Sequence, residues 1–192
     1  MKRGNPRLLG IILVIVFALG FYSGIQFQEK RFKKPSAVEG ASLLLDSEYL
    51  DNLLYMLDQA ENYVHVVMFV VKYDPKEKDD PANLILYKLA ELAEKGVEVR
   101  LVVDDATRRS YPETLEFLKS RGVDVRLDES SRTTTHTKMV IIDGEVLILG
   151  SHNWTESALS YNHEASIAIY NATIISEAEH YFEEIYEAGR EA

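Results

Sequence analysis

The sequence predicts an α/β fold, in which a mixed, mostly parallel β-sheet is flanked by helices and preceded by one apolar N-terminal segment. Two observations predict it. Short valine- and leucine-rich runs alternate with amphipathic stretches between residues 42 and 127, an order that favours a parallel sheet covered by helices. Residues 8–27 form a separate apolar run that carries no charge. A chain of 192 residues has room for one such domain and this appendage.

The first elements follow from the spacing of apolar residues. A short apolar run at 42–45 predicts a strand. Four leucines between residues 50 and 57 recur at i, i+3, i+4 and i+7, which is one face of a helix, so we expect a helix over 48–61. The valine-rich run 63–73 is typical of a buried strand.

The next elements again pair helices with strands. Asp80 supplies an N-cap and a proline follows it, so we expect a helix over 81–95. An alternating apolar run predicts a strand at 97–103. A helix is expected at 112–121, before a glycine, and another strand at 123–127.

The last part of the chain predicts a hairpin, a strand and a closing helix. Two apolar runs, 138–143 and 145–150, are separated by an Asp-Gly pair, which is a tight hairpin signal. The run 163–170 predicts one more strand. The amphipathic stretch Ala172–Ala188 predicts a helix, with Asn171 as its cap.

The N-terminal apolar run, from Leu8 to Phe27, is long enough to cross a bilayer, because twenty helical residues span about 30 Å. We interpret residues 1–34 as a single membrane-spanning helix with its basic flank. The alternative is a cleaved signal peptide, which would leave the domain secreted. Basic residues stand on both sides of the run, so the positive-inside rule assigns the domain to neither face. Residues 35–40 are expected to link this anchor to a catalytic domain over 41–192.

Charge and composition narrow the functions of the domain. Residues 1–34 contain seven Lys or Arg and one acid, so the remaining residues hold 14 basic and 30 acidic side chains, a balance of −16. A protein that binds polyanions through its bulk charge would be basic, so an anionic substrate needs a local patch here. The lack of cysteine excludes disulfides, thiolate metal sites and cysteine nucleophiles.

Polar residues of complementary chemistry surround the predicted hairpin. His136 and Lys138 stand two apart at the start of its first strand, so their side chains point to one face and suit an anion between them. The antiparallel second strand ends near that start and delivers Ser151 and Asn153, and Glu164 begins the following strand. A nucleophile or base, a fixed cation, neutral donors and a carboxylate are the groups that act on phosphate esters.

Asp143 ends the first hairpin strand, where it is either a site residue or the turn residue of the hairpin. With its neighbours it completes the spacing H-x-K-x₄-D-x₆-G-S-x-N, which resembles the signature of the phospholipase D superfamily. The matching residues are His136, Lys138, Asp143, Gly150, Ser151 and Asn153. The strand order also looks like that family's fold over roughly 43–188. The chain length and single signature are most similar to the compact Nuc-type endonucleases and the membrane-anchored Zucchini-like members.

The resemblance implies a mechanism that needs no metal and no cofactor. His136 would attack phosphorus and form a covalent phosphohistidine. Glu164 stands where family members place a glutamate that orients this histidine, and Asp143 would support the site indirectly. Binding of the substrate phosphate is implied for Lys138, Ser151 and Asn153.

The implied chemistry also needs a second histidine to protonate the leaving group, and the chain carries one signature. We therefore expect a homodimer whose active site is shared between two copies. Open α/β sheets bind ligands at the ends of their parallel strands, so cations in the loops there are candidates for a substrate patch. These candidates are Arg108, Arg109, Arg132 and Lys72, and the alternative is that they are scattered surface charges.

Three functions fit the sequence. The first is a membrane-tethered endonuclease that acts on nucleic acid, which the chain length and the single signature favour. The alternative is a phospholipase D-type hydrolase of phospholipid headgroups, which the apolar segment favours. The third is a catalytically silent, membrane-anchored binding module, which the intact signature disfavours.

Overall fold

An eight-stranded mixed sheet with helices on both faces accounts for most of the chain that is described. The computed structural model describes residues 40–192, which all belong to one structural unit. The strands are β1 Ala41–Leu45, β2 Tyr63–Met68, β3 Glu98–Val103, β4 Asp124–Leu127, β5 Lys138–Ile142, β6 Val146–Gly150, β7 Ala165–Ile169 and β8 Arg190–Glu191. The helices are α1 Glu48–Leu57, α2 Pro81–Glu94, α3 Asp105–Ser110, α4 Pro112–Ser120, α5 Glu156–Ser160 and α6 Ala172–Ala188.

The strand order is β1-β7-β6-β5-β2-β3-β4-β8. Only the β2–β3 and β3–β4 pairs are parallel, and the other pairs of this sheet are antiparallel. The predicted mixed α/β architecture is confirmed, but the expectation of a mostly parallel sheet is wrong. The β5–β6 hairpin and β7 lie between β1 and β2, so the first strand pairs with β7 instead of continuing the parallel series.

Strand β2 ends at Met68, five residues before the predicted end. Beyond it, the backbone N–H groups of Val71 and Tyr73 donate to the hydroxyls of Thr107 and Thr114, at 3.1 and 2.9 Å. Side chains thus replace a neighbouring strand as hydrogen-bond acceptors, which an apolar run cannot reveal. Helices α3 and α5 and strand β8 were not predicted either, because each is six residues long or shorter.

The two faces of the sheet are covered by different helices. Helices α1, α2 and α4 bury one face in the larger core, whose side chains include Leu53, Ile85 and Leu118. Helix α6 covers the other face, where Phe182 and Ile175 pack on a smaller cluster from β2, β3, β5 and β6. Burial of one such side chain contributes about 2 kcal/mol, so both layers fix the position of the central strands.

The predicted membrane span at 8–27 lies outside the described residues, as does most of the predicted linker. Within residues 40–192, every helix is too short or too polar to cross a bilayer.

Candidate active site

The sheet brings the candidate residues to one of its ends. Strands β2 and β5 are antiparallel with Met68 opposite Lys138, so the end of β2 meets the start of β5. Strands β6 and β7 are antiparallel with Gly150 opposite Ser166, so the end of β6 meets the start of β7. Strands β5 and β6 are also antiparallel, so the start of β5 lies beside the end of β6. His136, just before β5, and Ser151 and Asn153, just after β6, therefore lie at the same end of the sheet.

His136 and Lys138 form a contacting pair. Lys138 Nζ lies 3.2 Å from His136 Nδ1 and donates to the His136 carbonyl oxygen at 2.7 Å. The His136 ring is exposed and lies 4.5 Å, centroid to centroid, from Phe69, while Lys138 Nζ lies 4.9 Å from the same aromatic ring. Lys138 is buried, and this burial lowers the pKa of its ammonium, against the opposing charge of Glu164.

The contact with Lys138 decides where the imidazole of His136 carries its proton. An ammonium group has donors only, so Nδ1 acts as the acceptor and the ring proton is on Nε2. Phe69 follows β2 directly and forms an apolar platform for both side chains. Sequence reasoning missed this residue, although an aromatic side chain at the end of a buried strand was a usable signal.

Ser151 and Glu164 form a second contacting pair. Ser151 Oγ donates to Glu164 Oε2, and Asn162 Nδ2 donates to the other carboxylate oxygen at 3.0 Å. The Glu164 N–H donates to Asp46 Oδ1 at 2.9 Å, and this bond is the main cause that lowers the pKa of Asp46. Among the described residues Glu164 makes no hydrogen bond to His136, so the expected orienting contact is absent and its carboxylate is held by Ser151 and Asn162.

Asn153 contributes an amide with spare hydrogen-bonding capacity. Its Oδ1 atom is buried and has no hydrogen-bond partner among residues 40–192. Trp154, the next residue, is fully buried and fixes the backbone, because its N–H donates to Val70 O at 3.0 Å. Buried polar atoms are nearly always paired in proteins, so this oxygen is an acceptor whose donor is not among the described residues.

Asp143 lies at the other end of β5, about 16 Å along the strand from Lys138. Its backbone has a positive φ of 52°, and its carboxylate accepts from the N–H groups of Glu61, Asn62 and Tyr63 at 2.7–2.8 Å. The inclusion of Asp143 among the catalytic residues is therefore not supported by its position. It is the turn residue of the hairpin and fastens that turn to the start of β2.

The predicted cationic patch is largely paired with acids. Arg108 and Arg109 lie on α3, 2.9 and 4.0 Å from the Asp105 carboxylate. Lys72 lies between Asp80 and Asp74, at 3.1 and 3.2 Å; burial lowers the pKa of Lys72, but these two carboxylates raise it further, to a net increase. Arg132 is exposed on the loop that leads to His136. The four cations do not form one free patch.

His152 stands inside the signature but belongs to the core. It is fully buried, stacks on Tyr49 at 4.2 Å, and makes hydrogen bonds to Ser166 Oγ at 2.7 Å and Asp46 O at 3.0 Å. Burial lowers the pKa of its imidazole. A neutral ring with both nitrogens occupied cannot serve as the second histidine of the reaction.

A groove of about 320 Å³ opens beside His136, between the loop 129–137, here called the His136 loop, and the C-terminal half of α6. Four threonines of this loop line it, together with the exposed ring of Tyr181. Glu129 and Glu184 also line the groove, and none of its described lining residues is a Lys or Arg. The groove thus offers hydroxyls, an aromatic ring and negative charge.

Relatives of known name share this domain. Residues 53–186, more than half of the chain, match the family model described as "Cardiolipin synthase, PLD-like domain". The mitochondrial cardiolipin hydrolase of Chlamydomonas reinhardtii is 27% identical over 138 residues, which cover 72% of this chain and 57% of the relative. The 5'-3' exonuclease PLD3 of Xenopus tropicalis is 27% identical over 149 residues, which cover 73% of this chain and 30% of the relative. The chain thus spans less than two thirds of the length of these relatives.

Solved structures show the same fold. NucT from Helicobacter pylori superposes with a TM-score of 0.67 at 18% identity, over 79% of this chain and 98% of that protein. Nuc from Salmonella typhimurium, a phospholipase D family member, superposes with a TM-score of 0.67 at 19% identity, over the same shares. The two curated relatives are named a hydrolase and an exonuclease, which agrees with the predicted class of phosphodiesterases. The chain belongs to the phospholipase D superfamily, and its domain is a phospholipase D-like phosphodiesterase domain.

Proposed function

We propose that the protein hydrolyses phosphodiesters through a phosphohistidine on His136. One observation carries this proposal: an exposed imidazole lies 3.2 Å from a buried ammonium group. Burial in an apolar surrounding strengthens the attraction of that ammonium for a phosphate, because little water screens it. Lys138 is therefore placed to hold a non-bridging oxygen close to the attacking ring nitrogen.

The proposed reaction begins when a phosphate takes Lys138 Nζ away from His136 Nδ1. Because the ring is exposed, water takes the proton from Nε2 and returns one to Nδ1. The lone pair of Nε2 then attacks phosphorus. A P–N bond forms as the P–O bond to the leaving alcohol breaks, and that oxygen takes a proton from a second histidine. Water then attacks phosphorus, gives its proton to the second histidine and releases His136. The Nδ2 amino group of Asn153 supplies a further donor to the phosphate oxygens, and Ser151 supplies another once its hydroxyl turns away from Glu164. No step uses a metal.

The second histidine is proposed to come from another copy of the chain, which makes the enzyme a homodimer. Exposed apolar side chains support such contact. Leu43 and Leu45 are 66% and 45% exposed on β1, an end strand of the sheet. Leu43 lies opposite Ile167, and Ile167 lies opposite Leu149, so an apolar strip crosses three strands near the start of β7. A two-fold interface would cover this strip and bring two His136 rings to one site.

Nucleic acid is the proposed substrate, and residues 8–27 are the proposed membrane anchor, which makes the protein a membrane-tethered endonuclease. Two findings support this choice. The domain superposes on NucT and Nuc over 98% of their length, and a relative is named a 5'-3' exonuclease. The anchor rests on the uncharged run of twenty residues.

Phospholipid headgroups are the second candidate substrate, and the groove beside His136 favours them. Glu129, Glu184 and Tyr181 would attract an amine-bearing or polyol headgroup and would repel the next phosphate of a polynucleotide. The acid-paired arginines of α3 also weaken the attraction for a polyanion. Several relatives of the chain are named for cardiolipin, as hydrolases or synthases.

A substrate panel tests these proposals. The full-length chain in detergent would be incubated, with EDTA present, with single-stranded DNA, RNA, and vesicles that contain phosphatidylethanolamine or cardiolipin. We expect turnover of nucleic acid; headgroup release alone would select the lipid candidate, and turnover of neither would leave the silent module. His136→Ala should abolish turnover while the circular dichroism spectrum stays unchanged. Full activity of this variant, or loss of wild-type activity in EDTA, would contradict the mechanism.

A further inference from the structure

A buried carboxylate holds the loop that carries the nucleophile. Asp104, which follows β3, is 3% exposed. Its Oδ1 atom accepts from the Ala106 N–H at 2.6 Å and begins helix α3, while its Oδ2 atom accepts from the Thr135 N–H at 2.9 Å. Thr135 directly precedes His136 in the chain. One side chain thus joins the end of a core strand to the backbone next to the nucleophile.

The His136 loop has few other restraints. Thr133 bonds to Ser130 and Glu129, so these contacts stay within the loop. The Lys138 ammonium bonds to His136, but the proposed mechanism requires this group to turn toward the substrate. Among the described residues, the Asp104 carboxylate therefore forms the hydrogen bond that ties this loop to a distant element. A bound phosphate would not displace that bond.

Buried charged side chains surround the Asp104 side chain. Asp128, which is 1% exposed, is a neighbour of Asp104, and burial together with this neighbour raises the pKa of Asp128 to about 6. Arg190 of the last strand lies 3.1 Å from both Asp128 and Asp105 and balances their charge. The result is a fixed acceptor rather than a rotating surface carboxylate.

We propose that Asp104 is a positioning residue, which fixes the height and angle of the His136 ring over Phe69 through the Thr135 N–H. This inference rests on the proposed role of His136 as nucleophile. Attack on phosphorus requires close alignment of the reacting atoms, so a loop free to shift by about 1 Å loses rate while it still binds substrate. Asp104 does not touch the substrate and acts through the backbone.

The inference is tested with two single variants and their combination, in the full-length chain. Asp104→Ala removes the acceptor together with the cap of α3, and Thr135→Pro removes the donor without touching that cap. A hydrogen bond to a charged group suggests a fall in kcat of about tenfold or more for each, with KM changed less than about twofold. Because both break the same bond, the double variant should be no slower than the slower single variant.

The control is Asn171→Ala, which removes the N-cap of α6 far from the loop. Asn171 Oδ1 accepts from two backbone N–H groups, so its loss lowers the melting temperature as loss of the Asp104 cap would. We expect this variant to keep the wild-type kcat. Multiplicative losses in the double variant, or an equal loss of kcat in Asn171→Ala, would show that Asp104 acts through stability alone. Inactive wild-type protein would instead refute the proposed function.

Discussion

The two ends of strand β5 carry residues of the same sequence signature in opposite physical states. At the Asp143 end, three backbone N–H groups and one carboxylate satisfy each other at 2.7–2.8 Å. At the Lys138 end, an ammonium is buried against an aromatic ring, and a nearby amide oxygen, that of Asn153, has no partner among the described residues. The first end is arranged for folding and the second for a ligand. A signature of fixed spacing therefore contains residues in different physical roles: Asp143 fastens a turn, and the others, in our proposal, act on the substrate.

Removal of the charge at the Lys138 end should give the largest effect on activity. Lys138→Met keeps the length and the apolar stem of the side chain. We expect kcat to fall by about 100- to 1000-fold, because a donor to the developing phosphate charge is lost. The free energy of unfolding should stay equal or rise, since a buried cation costs stability. Steady-state kinetics measures kcat, and thermal denaturation measures the stability. A fall in kcat of less than tenfold would contradict the view that the Lys138 end is arranged for a ligand.

The converse pattern is expected at the Asp143 end. Asp143→Ala leaves three N–H donors without their acceptor and places an alanine at positive φ, so the free energy of unfolding should fall by about 2–3 kcal/mol. The fraction that remains folded should keep its kcat. Asp143→Asn tolerates positive φ and retains one acceptor oxygen, so it should lose less. Urea denaturation measures the free energy of unfolding, and active-site titration gives the kcat of the folded fraction. A fall in that kcat would show that Asp143 contributes to catalysis.

The sequence predicted the family from the fixed spacing of its signature. It predicted the helix–strand alternation from the period of the apolar residues, and the approach of His136 to Lys138 from their spacing of two along a strand. It did not predict the sheet direction, since the hairpin enters between β1 and β2 and no local pattern records which strands become neighbours. The sequence also predicted a contact between Glu164 and His136. In the structure the Ser151 hydroxyl donates to the Glu164 carboxylate instead. Asp128 and Arg190 were missed for the same reason: they are 62 residues apart and meet only in the folded chain.

The buried carboxyl group of Asp128, near Asp104, should also make the stability of the fold depend on pH. The Asp143 end of β5 should show no such dependence. Burial and the neighbouring Asp104 raise the pKa of Asp128 from its usual value near 3.8 to about 6 in the folded protein. The folded state therefore favours protonated Asp128, so its contribution to stability is full below about pH 4 and is lost as the pH rises through about 6. The other charged groups around it are Asp105 and Arg190, and the guanidinium of Arg190 offsets part of the cost of ionising Asp128.

Asp128→Asn mimics the protonated form and removes this titration. The difference in melting temperature between variant and wild type should grow in favour of the variant between pH 4 and pH 6, and then stay constant, because other carboxylates titrate alike in both proteins. Differential scanning calorimetry at intervals of half a pH unit measures it. The shift should amount to a few degrees at most, which is the smallest of the expected effects. A difference that is flat with pH would contradict this prediction, because it would mean that Asp128 is already ionised at pH 4 in the folded protein.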